Sequence, residues 1–409
     1  MKLTAQSVED KLTDANPSIR AEWANNYEYT PTSEQVERGL TDGHASVRRA
    51  WSSRTDFTPT PKQIERGLTD IDERVQTIWA ARTDFTPTHE QIERGLTDTS
   101  SRVRAAWTER DDWTPTPLQI ERGLHDVEKV RLAWAKRTGW TATPQQVEKG
   151  LTDISEKVRL TWSEKRSFTP TPEQVERGLT DTSERVRKAW AERQDFTPTP
   201  LQIERGLTDK DIWVRRTWSE RMDFTPTPEQ VERGLTDEEG YIRAIWVMRS
   251  DYVPTPEQVE RGLVDADMYV QTAWIQRTDF TPTPEQIERG LTDADSNVRW
   301  AWAERMDFTP TPEQVERGLT DKDVWVRKVW SQRMDFTPTP EQIERGVSDE
   351  DFSVVTHWLE REDICWTEAQ IERGLQHPNE SVRAHWEHVL RRRNEWNTEH
   401  DSIMNLPVI

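Results

Sequence analysis

Cysteine is almost absent from this 409-residue chain: Cys365 stands alone, which excludes an intramolecular disulfide and any cysteine cage for zinc or an iron-sulfur centre. No apolar run approaches the roughly 18 residues that a membrane-spanning helix needs. The first residues, Met1 to Asp10, lack the apolar centre of a signal peptide. A soluble, cytoplasmic protein without membrane contact is therefore expected. Positive charge is in deficit, since 55 Lys and Arg face 75 Asp and Glu for a net charge of -20. That balance disfavours nonspecific attachment to nucleic acid or anionic lipid. Histidines are few and scattered, with no His-Glu-x-x-His pair and no setting that would activate a nucleophile. No catalytic residue, metal site or cofactor is assigned, and enzyme activity is not expected.

Only 33% of the residues are hydrophobic, close to the composition of disordered chains, yet 21 of them are tryptophan. Their spacing is the strongest signal in the sequence. Trp23, Trp51, Trp79, Trp107, Trp134, Trp162, Trp190, Trp218, Trp246, Trp274, Trp302, Trp330, Trp358 and Trp386 mark fourteen repeats of 28 residues, with a single interval of 27 between Trp107 and Trp134. A representative unit, Asp56 to Thr83, reads DFTPTPKQIERGLTDIDERVQTIWAART, and positions 1 to 28 are counted from that Asp. The repeats occupy residues 1–390, and residues 391–409 have no counterpart and read as a terminal cap or tail.

Each unit contains the signals of two short helices. Thr60, Pro61 and Gln63 supply an N-cap, a proline at the first helical position and the far end of a capping box. Ile64, Gly67 and Leu68 share one face of that first helix, where the glycine permits close helix approach. The second helix starts at position 17, a capping residue such as Asp72, Asp211, Asp267, Asp295, Asp323, Ser183 or Asn379, and carries Val75, Ile78 and Trp79 as its apolar stripe. Pro59 and Pro61 prevent consecutive units from fusing into one helix. A helix pair of this size cannot bury its stripe alone, so neighbours must stack into a continuous core. The repeated tryptophan is thus read as core, and the aromatic at position 2, as in Phe57 and Tyr252, as a plug between units. The charges repeat too. Asp211 with Arg215 and Asp323 with Arg327 are spaced for pairs within one helix. The arginine at position 27, as in Arg221 and Arg305, suits a helix C-terminus and is within reach of Asp at position 15 or 1 of a nearby unit.

The string D-x-D-x-x-V-R-x-x-W, as in Asp321 to Trp330, followed by Thr-Pro and a short amphipathic helix, resembles the HEAT-like superfamily and most closely the variant leucine-rich repeats. The resemblance implies an all-α, right-handed α-α superhelix, a solenoid of fourteen two-helix repeats used as a binding surface. The present unit is longer than that family's, and it lacks the cysteine cluster by which the founding member holds an iron-sulfur centre.

Positions 19, 22 and 26 lie opposite the core stripe of the second helix, and their side chains are free to vary. Repeats three to seven place Arg74, Arg102, Lys129, Lys157 and Arg185 at position 19, whereas later repeats place Trp213, Tyr241, Tyr269 and Trp325 there, with Trp300 one turn further along in repeat eleven. Large aromatics on an exposed face mark a binding surface. These ten residues are the candidate partner site, and another protein or peptide is the expected partner. Single-stranded nucleic acid, stacked on the aromatics, is the alternative, opposed by interleaved acids such as Glu164 and Glu220. A further alternative is an acidic chain that imitates nucleic acid to occupy a basic protein. The sequence leaves the oligomeric state open.

Overall fold

The capping signals, read in space, give helices throughout. A computed structural model describes residues 4–404, with side chains described as far as residue 394; residues 1–3 and 405–409, the latter belonging to the expected tail, lie outside the described residues. Among the described residues there are 28 α-helices and no strand, two helices for each of the fourteen repeats. The fold is all-α and built of two-helix repeats. The last helix, Glu380–Met404, carries the second helix of repeat fourteen on into the segment that has no repeat counterpart. The chain divides into two compact units, Met1–Trp218 and Ser219–Ile409.

In the first unit, repeat three shows how the sequence produces the pair. Its first helix, Pro61–Leu68, begins with a reciprocal box in which the Thr60 hydroxyl accepts from the Gln63 amide and the Gln63 side chain accepts from the Thr60 amide. The free end of the same Gln63 donates to Glu37 of the preceding repeat at 2.9 Å. One side chain therefore both starts a helix and ties it to its neighbour. The second helix, Glu73–Ala81, is capped by Asp72, whose carboxylate accepts from the amides of Arg74 and Val75.

Trp79 is 1% exposed. Its ring lies over Gly67 so closely that a Cβ there would sit 2.2 Å from the indole. Its N–H donates to the hydroxyl of Ser52 in the preceding repeat at 2.8 Å. The glycine is required by this close approach and not by backbone conformation.

Charged side chains make two further connections between repeats. Arg48 grips Asp70 of the next repeat through two hydrogen bonds of 2.7 and 2.8 Å and also donates to the Asp42 carbonyl. Asp70 meanwhile accepts from the amide of Asp72, fixing the loop before the second helix. Here the expectation of pairs within one helix is corrected. In the second unit Asp323 spends its carboxylate on the amides of Trp325 and Val326, and Arg327 turns to Asp349 of the following repeat.

The second connection is a ladder of buried arginines at position 27. Arg54 is fully buried; it donates to the carbonyls of Ala24 and Asn26 and is held by Asp56 two residues on. Arg82 does the same to Ser52 and Arg54, with Asp84 as its carboxylate, and is flanked by the rings of Phe57 and Trp79 at 5.0 and 4.9 Å. In the second unit Arg249 reaches Ser219 and Arg221, and Arg305 reaches Ile275 and Arg277. The second unit closes with a variation, because repeat fourteen carries Val389 at this position and Arg392, one turn later, donates to the Leu359 carbonyl at 2.9 Å.

The glycine seat predicts a sharp contrast. Gly67→Ala should cost about 1–3 kcal/mol through overpacking. Gly43→Ala, where an added Cβ meets nothing within 4 Å, should be close to neutral. Chemical denaturation of the two variants checks this, and equal effects would contradict the seat.

A pH dependence also follows. Hydrogen bonds from Arg261 and then Gln258 hold the Glu232 carboxyl below its ordinary value, and Arg66 and Gln63 do the same for Glu37. Because the folded pKa is depressed, this stabilisation is complete above the ordinary carboxylate range near pH ~4.3 and is lost as pH falls through it. Neutralising the surplus negative charge works in the opposite direction, but the specific pairs recur in nearly every repeat and should dominate. Melting temperature should thus hold between pH 7 and about 5.5 and fall below about pH 4.5; a rise on acidification would contradict it.

Candidate binding surface

Position 19 is the second residue of each second helix, and in several repeats its own amide makes the capping bond that starts the helix. In the first unit the Arg74 amide donates to Asp72 at 2.9 Å and the Arg102 amide to Ser100 at 3.2 Å. Arg74, Arg102, Lys129, Lys157 and Arg185 are all exposed. They do not form a uniformly basic strip, since position 18 beside them holds Glu73, Glu128, Glu156 and Glu184. Arg102 lies 3.3 Å from Glu73 of the preceding repeat, and Lys188 pairs with Glu192 on the same face. Exposed pairs of this kind contribute little to stability, but they neutralise the row. Trp213, in the last repeat of this unit, is 52% exposed, with the Arg216 guanidinium 5.7 Å from its ring centre.

In the second unit the same position presents rings. Tyr241, Tyr269 and Trp325 are 52%, 68% and 59% exposed. The Tyr269 amide donates to Asp267 at 2.8 Å and the Trp325 amide to Asp323 at 2.9 Å, so these two rings project from capped first turns. Trp300 is half-buried, one turn further along its helix. In repeats nine to thirteen the acids of position 18 have gone as well, replaced by Gly240, Met268, Ser296, Val324 and Phe352, and an acid returns only with Glu380 in repeat fourteen. Asn297 meets Met268 across the repeat boundary at 3.8 Å, so successive repeats are in contact along this strip. The Lys328 ammonium sits 5.0 Å over the Trp325 ring and leaves the rest of that ring to solvent.

At the other end of these helices an open groove of about 390 Å³ runs between repeats nine and ten, with Val247 and Ala273 on its floor and Met248 and Gln276 at its rim. Glu304, on the same face, has no ion-pair partner among the described residues, and burial pushes its carboxyl up. A separate cavity of about 610 Å³ lies between repeats thirteen and fourteen, walled by Ile364, Trp366 and Val389 with Arg392 and Arg393 beside it.

The sequence pattern therefore located exposed side chains, but the structure divides them. The basic residues and Trp213 belong to the first unit, and Tyr241, Tyr269, Trp300 and Trp325 to the second. The neutralising role of position 18 was missed. The signal for it was present in the same alignment of repeats, one column to the left.

Residues 89–106 match the family model described as the HEAT repeat associated with sister chromatid cohesion. Among solved structures, a leucine-rich repeat variant with a novel repetitive structural motif is similar at 23% identity and a TM-score of 0.39, covering 60% of this chain and 87% of its own. A structure of Kap95p binding to RanGDP is similar at 11% identity and a TM-score of 0.34, and one of importin beta in an ammonium sulfate condition at 11% and 0.22. Each of these two covers 94% of the present chain, which spans 60% and 54% of theirs. The search of curated proteins gives no match.

Proposed function

We propose that this chain is a non-enzymatic scaffold that holds a protein or peptide on the exposed face of its second helices. The observation that carries the reading is the exchange at positions 18 and 19. In the second unit an acid beside a base gives way to an uncharged strip with three large rings exposed by more than half. In a chain that is 32% charged, such a strip runs against solubility unless it is covered in use. Tyrosine and tryptophan are the residues that dominate binding energy at protein interfaces, because they bury large rigid area at small entropic cost and keep one polar atom. Phe352, in the position-18 column of the strip, is also exposed by more than half.

In the first unit, the row from Arg74 to Arg185 and the exposed Trp213 form a second, more polar surface for the same class of partner. Its balanced charge suits specificity and orientation more than raw affinity. No helix among the described residues is long and apolar enough to cross a membrane. The single exposed, unpaired cysteine supports a reducing, cytoplasmic setting.

A peptide display library panned against the whole protein tests the reading. Peptides selected by the wild type should bind the combined Tyr241→Ala, Tyr269→Ala and Trp325→Ala variant at least about 30-fold more weakly, the equivalent of losing one ~2 kcal/mol hot spot. The helical circular dichroism should not change. Undiminished peptide binding by the variant, or tight salt-sensitive binding of single-stranded RNA or DNA by the wild type in place of peptides, would overturn it.

A further inference from the structure

We infer that the open cavity at the last repeat junction is a binding site for a small aromatic carboxylate. The cavity, of about 610 Å³, lies between repeats thirteen and fourteen, and two repeat positions explain its origin. From repeat two to repeat thirteen position 2 is an aromatic residue, Tyr29 first and Phe336 last. The position-27 arginine lies against that ring, as Arg82 does over Phe57 at 5.0 Å, Arg305 over Phe280 at 4.7 Å and Arg361 over Phe336 at 4.9 Å. Repeat fourteen loses both members at once. Ile364 stands in place of the ring and Val389 in place of the arginine.

Both replacements are shorter than the side chains they succeed, and together they leave the space of a ring and a guanidinium unfilled. Ile364 and Val389 are buried and form the apolar wall of the cavity. Trp366, where the preceding repeat has Pro338, supplies a second wall. Its ring does not fill the space, because it is packed edge-to-face on Trp386 with centres 5.0 Å apart. The remaining volume falls in the range of sites that enclose small molecules, about 300–1,000 Å³.

The polar part of the lining is cationic. Arg361 completes the last rung, and its charge is met by Asp363. Arg392 donates to the Leu359 carbonyl at 2.9 Å and, like Arg393, has no carboxylate partner among the described residues. Both side chains are only partly covered, and none of their nitrogens is among the buried donors that lack a partner, so their unused N–H groups are accessible. Glu362 is the one acid in the lining, and it is exposed. Two arginines free of carboxylates against this single acid leave a positive surplus at the cavity, in a chain whose net charge is -20.

An apolar wall beside accessible guanidinium groups selects an anion with an apolar body. Two features narrow the class. The vacated space is that of an aromatic ring, and the Trp366 ring beside it offers the stacking or edge-to-face contact that aromatic groups favour. A guanidinium pairs best with a planar carboxylate through two parallel hydrogen bonds, the pairing already seen between Arg361 and Asp363. The rung aspartate is missing here too, since Arg391 stands two residues after Val389. An aromatic carboxylate thus returns to this junction both the ring and the acid that every repeat from three to five, for example, receives from Phe or Trp at position 2 or from an aspartate. The cavity involves neither position 18 nor position 19 and does not rest on the aromatic strip.

Cys365, the single cysteine of the chain, lines the cavity and is exposed, so it reports on occupancy. The full-length protein is titrated at constant ionic strength with 3-phenylpropanoate, with the neutral 3-phenylpropanamide and with acetate. Binding is read by saturation-transfer NMR of the ligand, and its location by the rate at which iodoacetamide alkylates Cys365, followed by intact mass. The aromatic acid should saturate, slow the alkylation severalfold, and bind roughly tenfold or more tightly than either the amide or acetate, the equivalent of one charge-assisted contact. The combined Arg392→Gln and Arg393→Gln variant should bring the acid down to the affinity of the amide. Ile364→Phe restores the ring type of the preceding repeats, so it should keep the fold while filling the cavity and abolishing both effects. Equal affinity for acid and amide, undiminished binding by Ile364→Phe, or alkylation unchanged at saturation would overturn the site. Tighter binding of the peptide acetyl-Gly-Gly-Phe, with its free terminal carboxylate, than of 3-phenylpropanoate would overturn the small-molecule source.

Discussion

A buried guanidinium closing the carboxyl end of the preceding helix is the interaction on which the stacking of these repeats depends. Each second helix is about nine residues long, too short to be stable alone in water. Its last carbonyls have no partners within the helix. The position-27 arginine of the next repeat supplies them, and is itself held by an aspartate two residues on and by flanking rings. Burying a charge is costly unless every donor is used. The ladder meets that condition fully at rungs such as Arg110, whose five donors go to three carbonyls and the two oxygens of one carboxylate. Cooperativity between neighbours follows, because no repeat completes its own helix ends.

The tryptophan and glycine pair is the second constraint, and it acts within a repeat. The indole needs the space of a missing Cβ on the first helix, which explains why a residue unfavourable to helices recurs in the middle of one. With the core dictated by these two devices, the exposed columns are where side chains vary most freely, and the aromatic strip of the second unit is such a departure.

Much of this was legible in the sequence. Proline, threonine and glutamine in fixed register specify the first helix, and the spacing of tryptophan specifies the repeat. The arginine at position 27 was assigned to a helix end, with an aspartate at position 15 or 1 of a nearby unit left open as its partner, and the structure selects position 1. The partner of the arginine at position 21 was not legible. Asp323 and Arg327 are four apart, a spacing that suits a pair within one helix, while the true partner Asp349 is 22 residues away. Only the capping demand on Asp323, visible once the helix start is placed, decides between them. Trp300 shows the same limit, since helical spacing places it on the outer face but cannot reveal that its neighbours half-cover it. The replacement of that aspartate by Gly139 beside Arg137 escaped notice because an absent aspartate is conspicuous only once the role of the other ten is known.

Hydrogen exchange of the Arg305→Met variant tests the coupling between repeats most directly. Arg305 donates to the carbonyls of Ile275 and Arg277, one repeat earlier, and is held by Asp307. The account predicts that the second helix of repeat ten, Met268–Gln276, loses protection together with Ser296–Glu304 in the arginine's own repeat, while repeat thirteen is little changed. Loss confined to the arginine's own repeat would contradict it.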